Sequence, residues 1–139
     1  MSDLIKKYEG FSPTAYQCPA GVWTIGYGTT VYPDGRRVQS GDMVSKQEAE
    51  AFLNDYLIRS VDPYIGRIDC TLTYSQREAL ASLIYNWNGP AFLKSKLYRA
   101  ICDRDFSAVY REWDFGIKNN LKGVIKRRAE ELFLFMKDI

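Results

Sequence analysis

The chain has 139 residues, 46% hydrophobic and 26% charged, enough for one complete core and too few for two ordinary domains. Its formal charge of +2 gives no ground for a nucleic-acid partner, and the absence of histidine removes the usual general base and the commonest metal ligand. Acid–base chemistry near neutral pH must then fall to carboxylates, thiols or amines.

The three cysteines, Cys18, Cys70 and Cys102, are odd in number, widely spaced and without a CxxC pair. They predict neither a zinc site nor a complete disulfide framework, and reduced thiols in a protein folded in a cytoplasm fit best. Leu4 and Ile5 are followed at once by Lys6, Lys7 and Glu9, so no signal peptide and no membrane-inserted segment is expected.

In chain order, a short helix is expected over 2–8. Residues 13–41 then change character. Gly21, Gly26, Gly28, Gly35 and Gly41, with a Pro33-Asp34-Gly35 turn, are interleaved with β-formers such as Tyr16, Val22, Trp23, Ile25, Tyr27 and Val31. This predicts a β-lobe of two or three short antiparallel strands.

From about residue 45 to 139 the pattern is helical. Ser45 to Glu48 and Thr73 to Gln76 are capping boxes. The first leads into Ala49, Phe52, Leu53, Tyr56 and Leu57, and Asp62-Pro63 is expected to end or kink that helix. The second leads into Leu80, Leu83, Ile84 and Trp87. One helix is expected from Phe92 to Ile101 and a weaker one over 106–113. The last, from about Val124, has a core stripe of Ile125, Ala129, Leu132, Phe133 and Met136. Trp23 and Trp87 read as core residues, Cys70 and Cys102 as structural ones. Lys118, Lys122, Lys126, Arg127 and Arg128 follow one another without an intervening acid. They form either a solvated face offset by Glu130 and Glu131 or an anion-attracting patch. The expectation is a single α+β domain spanning 1–139, with a cleft between a β-lobe and a helical lobe.

Glu9 ends the first helical stretch beside Gly10. Glu9-Gly10-Phe11, Ala15-Tyr16 and the run from Cys18 to Gly28 resemble the signature of the phage-type lysozymes, glycoside hydrolase family twenty-four. That signature is a Glu, eight intervening residues, an Asp or Cys, five more, then a Thr, and Glu9, Cys18 and Thr24 match it without a gap. The resemblance continues through Leu72-Thr73, Gln76, Tyr85-Asn86, Gly89, Ala91-Phe92, Ser95 and Leu97 to Gly123 and Arg127-Arg128.

The resemblance implies a lysozyme-like fold and hydrolysis of the β-1,4 bond between N-acetylmuramic acid and N-acetylglucosamine in peptidoglycan. Glycosidic cleavage needs an acid for the departing oxygen and a second group across the ring. Glu9 is implied as the acid, with a carboxyl expected to be partly buried, and Thr24 as a holder of water. Cys18 stands where many members have Asp, and its thiol is expected to orient water, act as base or attack the sugar. Tyr85, Asn86 and Ser95 are implied as substrate-binding residues, Tyr85 having a core role as its alternative. Thr29 stands where the family commonly has His. No cofactor or metal is expected. The implied enzyme is a monomer, made in the host cytoplasm and acting on the wall in the periplasm after a separate holin opens the membrane. A lytic transglycosylase on the same bond and a catalytically weak wall-binding protein are the alternatives.

Overall fold

The computed structural model describes residues 2–113 and 122–139, which form two compact units, 2–59 and 60–139. The boundary falls at the end of the helix that follows the β-lobe, so this helix belongs with the sheet.

In the first unit, α1 (Asp3–Glu9) leads into β1 (Ser12–Gln17) and β2 (Trp23–Gly26), which pair antiparallel, and α2 (Lys46–Ser60) follows. The sheet proper has two strands among the described residues. Residues 42–44 run along β1 through Ala15 N–H to Asp42 O (3.0 Å) and Val44 N–H to Pro13 O (2.9 Å). The Pro33-Asp34-Gly35 turn forms as expected. Gly35 N–H bonds Tyr32 O at 2.9 Å, Tyr32 N–H bonds Arg36 O at 2.8 Å, and Gly35 takes the positive φ of 92° that such a loop needs. The Ser45 box caps α2, with Glu48 N–H to Ser45 Oγ at 3.1 Å and Ser45 N–H to Glu48 Oε1 at 3.0 Å. The buried stripe of α2 is Ala49, Leu53 and Leu57, and Ile5, Ile25 and Tyr27 are buried in the same unit, whereas Tyr56 is exposed.

The second unit holds α3 (Asp62–Ile65), α4 (Tyr74–Asn86), α5 (Gly89–Leu93), α6 (Lys96–Cys102), α7 (Phe106–Glu112) and α8 (Lys122–Met136). Pro63 sits in the first turn of α3, so Asp62-Pro63 does separate that helix from α2. Both halves of the Thr73 capping box are present on α4. The single helix expected from Phe92 to Ile101 is instead two. Ser95 interrupts it by accepting from Tyr98 N–H (3.1 Å) and donating to Phe92 O (2.5 Å), so its side chain takes over helix-end groups that an unbroken helix would satisfy itself.

The larger correction concerns α8. Ile125 and Phe133, expected in the core, are 40% and 77% exposed, and Ala129 is exposed as well. The buried residues are Arg127, Arg128, Glu131 and Phe135. The helix is thus turned by about one residue, roughly 100°, from its apolar stripe. Arg127 and Arg128 are therefore neither a solvated face nor an anion-attracting patch. Lys118 lies outside the described residues, and Lys126 remains exposed.

A polar cluster explains the rotation. Glu131 accepts from Ser82 Oγ (2.5 Å), Arg128 Nη2 (2.9 Å) and Trp113 Nε1 (3.3 Å), and Arg128 Nε lies 2.7 Å from its other oxygen. Arg127 reaches Ser82 Oγ at 3.1 Å and Ser82 O at 3.2 Å. Residues three and four apart on one helix face can build such a cluster only if that face turns inward. Burial pushes the Glu131 carboxyl up and the Arg128 guanidinium down, the neighbouring opposite charges opposing both shifts. Trp113, whose ring lies 5.1 Å from Phe135, is a core tryptophan. Trp23 and Trp87, expected in the core, are half-buried.

Candidate active site

Glu9, Cys18 and Thr24 all lie in the first unit. Glu9 is the last residue of α1 and is half-buried. Gly10 ends the helix there with φ of 68°, its N–H bonding Lys6 O at 3.0 Å. A residue with a side chain is strained at that φ, so glycine sets where the helix stops and hence where Glu9 stands.

Cys18 and Thr24 are set by the β1–β2 hairpin. The register pairs Tyr16 with Thr24 and Gln17 with Trp23, and Cys18 N–H bonds Val22 O at 3.0 Å. Pro19-Ala20-Gly21 forms the loop, closed by Gly21 N–H to Cys18 O at 2.8 Å, with Gly21 at φ of 81°. This is the same device as Pro33-Asp34-Gly35, and the shared Pro-x-Gly pattern is the signal that could have found it. Directly paired residues of an antiparallel ladder share a face, and so do alternate residues along a strand. Tyr16, Cys18, Val22 and Thr24 therefore lie on one side of the hairpin.

The Cys18 thiol is held below the ordinary thiol range. Hydrogen bonds from the backbone of Val22 and of Ala20 are the main cause, with a smaller contribution from the Thr24 hydroxyl, against a modest opposing effect of burial. Main-chain donors at a hairpin tip thus favour thiolate, the reverse of what repulsion by a nearby carboxylate alone gives. Thr24 is buried, and its hydroxyl donates to Val22 O at 3.0 Å. The hairpin sets Cys18 and Thr24 on one face, with Glu9 in the same unit.

Past β2 the chain turns tightly through Gly26-Tyr27-Gly28, where Ile25 and Thr29 exchange two backbone hydrogen bonds of 2.9 Å. Thr29, in the position of the family's usual His, is buried there. Gly26 has φ of 63°, and a Cβ on it would lie 2.9 Å from the Ala49 Cβ, so this turn seats directly on α2.

Of the expected substrate-binding residues, Tyr85 is half-buried and Asn86 exposed at the end of α4. The Ser95 hydroxyl is engaged at the α5–α6 junction, which leaves it little to offer a ligand. A cavity of about 410 Å³ in the first unit is lined by Tyr32, Asp34, Arg36, Asp42, Met43 and Phe52, among others, and includes none of Glu9, Cys18 and Thr24. Among the described residues, no group of three or more His, Cys, Asp or Glu side chains converges as a metal site, and no helix is long and apolar enough to cross a membrane.

The sequence profile of the phage lysozyme family matches residues 6–131. An endolysin of Acyrthosiphon pisum secondary endosymbiont phage 1 is 37% identical over 139 residues, covering 95% of this chain and 92% of that one. Among solved structures, a crystal structure of a P22 lysozyme mutant is 28% identical with a TM-score of 0.82, covering 96% of this chain and 92% of that one. The muramidase domain of SpmX from Asticaccaulis excentricus is 29% identical with a TM-score of 0.80, at the same coverage. The fold is thus the α+β lysozyme type. The chain belongs to the phage lysozyme family.

Proposed function

We propose that this chain is an endolysin, a peptidoglycan hydrolase that cleaves the β-1,4 bond between N-acetylmuramic acid and N-acetylglucosamine. The observation that carries the reading is the hairpin register, which sets Cys18 and the buried Thr24 on one face, both in the family's spacing from Glu9. In this mechanism Glu9 protonates the leaving glycosidic oxygen. Thr24, its single proton engaged by Val22 O and the Cys18 sulfur, accepts a hydrogen bond from the attacking water and so orients it. Cys18, as thiolate, takes a proton from that water or stabilises the positive charge developing on the sugar. Tyr85 and Asn86 are assigned to substrate contacts, and Ser95 to the frame that holds α5 and α6. The enzyme acts as a monomer on the wall, which it reaches from the cytoplasm through lesions made by a separate holin.

The test is clearing of permeabilised Gram-negative cells, with product analysis of purified peptidoglycan. New reducing ends should form, and Glu9→Gln should lose activity by two orders of magnitude or more. Products ending in 1,6-anhydro-muramic acid would make the enzyme a lytic transglycosylase. Equal clearing by wild type and Glu9→Gln would remove Glu9 from the chemistry.

A further inference from the structure

We propose that Tyr16, with Val22 beside it, is a stacking platform for a pyranose ring of the glycan strand, next to the bond being cut. The inference rests on the glycan-hydrolase reading above and adds to it a binding role for Tyr16, which lies outside the Glu9, Cys18 and Thr24 set.

The argument starts from the register. Tyr16 is the direct cross-strand partner of Thr24, and Val22 faces Cys18 across the hairpin through the Cys18 N–H to Val22 O bond. Paired residues have Cβ atoms about 4.5–5.5 Å apart. The Tyr16 ring and the Val22 side chain therefore flank Cys18 and Thr24 on the same side of the sheet.

Both flanking residues are open to solvent, Tyr16 at 42% and Val22 at 43%, while Thr24 beneath them is buried. Other tyrosines of this unit are used differently. Tyr27 is buried with its ring 5.5 Å from Phe11, and Tyr32 packs 5.3 Å from Phe52 and donates its hydroxyl to Asp42. Among the described residues, the Tyr16 side chain has no ring, hydrogen-bond or charge partner. A flat amphipathic ring left partly exposed beside the polar pair is suited to the C–H face of a sugar, with its hydroxyl free for the sugar's rim. The Val22 methyls offer an apolar contact to an N-acetyl methyl. The ligand class is thus a neutral N-acetylated hexosamine ring.

The experiment uses the full chain carrying Glu9→Gln, so that binding is read without turnover. The probe is a hexasaccharide of alternating N-acetylglucosamine and N-acetylmuramic acid, titrated by calorimetry. Tyr16→Ala should weaken binding about three- to tenfold, the range expected for one aromatic contact, while Tyr16→Phe and Tyr16→Trp bind within about twofold of the parent. In the active enzyme Tyr16→Ala should raise KM for solubilised glycan by the same factor and leave kcat within about twofold. Its thermal transition should match wild type, because an exposed ring contributes little to stability. Equal affinity of parent and Tyr16→Ala overturns the stacking role alone, and Tyr16→Phe as weak as Tyr16→Ala overturns it in favour of a hydroxyl contact. A parent that binds no glycan at all overturns the glycan reading of the whole site.

Discussion

Glu131 is the acceptor on which the buried cluster of the second unit converges, and it yields the sharpest stability prediction. In Glu131→Leu, Arg128 loses both of its contacts, at 2.7 and 2.9 Å, while its side chain remains 1% exposed. Ser82 Oγ and Trp113 Nε1 lose their acceptor as well. Removing one partner of a buried ion pair costs about 3–5 kcal/mol, chiefly because the surviving charge stays desolvated. With a urea slope near 2 kcal/mol/M, the midpoint of unfolding should fall by roughly 2 M.

The decisive comparison is the double variant Arg128→Leu with Glu131→Leu. Burial is the largest influence on both groups and disfavours the charge on each. Removing the two charges together relieves two desolvation costs, but Arg127 loses its 3.4 Å ion pair with Glu131 and keeps only its bonds to Ser82 Oγ and Ser82 O among these contacts. The double variant should therefore recover part of the loss and unfold at a higher urea concentration than Glu131→Leu. Chemical denaturation followed by far-ultraviolet circular dichroism measures all three proteins. A double variant no more stable than the single one would refute the reasoning, since the cost would then lie in lost shape rather than in an orphaned charge.

Three further outcomes are expected. A Cβ on Gly89 would lie 2.2–2.4 Å from Tyr64 ring atoms, so Gly89→Ala should destabilise by about 1–3 kcal/mol, and Tyr64→Leu should restore much of this in a double-mutant cycle. Asp34, Asp42 and Glu48 are held below the usual carboxylate range, mainly by backbone N–H donors at Arg36, Gln39 and Ser45 respectively. Their folded values lie below the unfolded ones, so their contribution is present above about pH 4 and is lost as pH falls through the folded values. Asp42→Asn should flatten the acid limb of a stability-versus-pH curve, and an unchanged limb would count against this. If thiolate is the working form of Cys18, kcat/KM should rise with pH through a value below that of a free thiol. Cys18→Asp should move that rise into the carboxylate range and retain more activity than Cys18→Ser, and the opposite order would argue against a base or charge-stabilising role.

What the sequence made legible was local. The two capping boxes, the Pro33-Asp34-Gly35 turn and the stop at Asp62-Pro63 are each written in a few neighbouring residues, and each formed as read. Periodicity failed where a long-range polar interaction outweighed it. On α8 the apolar residues Ile125, Ala129 and Phe133 form as good a stripe as Arg127, Glu131 and Phe135, and hydropathy alone picks the first. Only the partners Ser82 on α4 and Trp113 after α7, far away in sequence, turn the second stripe inward. Ser95 was missed for a smaller reason. Its apolar neighbours Leu93 and Leu97 keep helical spacing across it, but its hydroxyl ends one helix and begins the next. In the candidate site, the family resemblance pointed to Cys18 and Thr24, whereas the hairpin register was needed to bring Tyr16 and Val22 to the same face.

The hairpin also accounts for how a cysteine can stand where an aspartate is common. Activation of a thiol usually draws on a neighbouring cation, and with no histidine in the chain the commonest one is missing. Here the donors are main-chain groups at Ala20 and Val22, whose positions follow from the Pro19-Ala20-Gly21 loop rather than from any side chain. Donors of that kind favour an anion at position 18 whether it is sulfur or carboxylate oxygen. The Thr24 hydroxyl donates to Val22 O and also helps to lower the Cys18 pKa. Replacing Thr24 by Val should therefore raise the Cys18 pKa as well as loosen the water. A single substitution would then shift the pH profile and lower kcat together, which loss of a purely structural hydroxyl would not do.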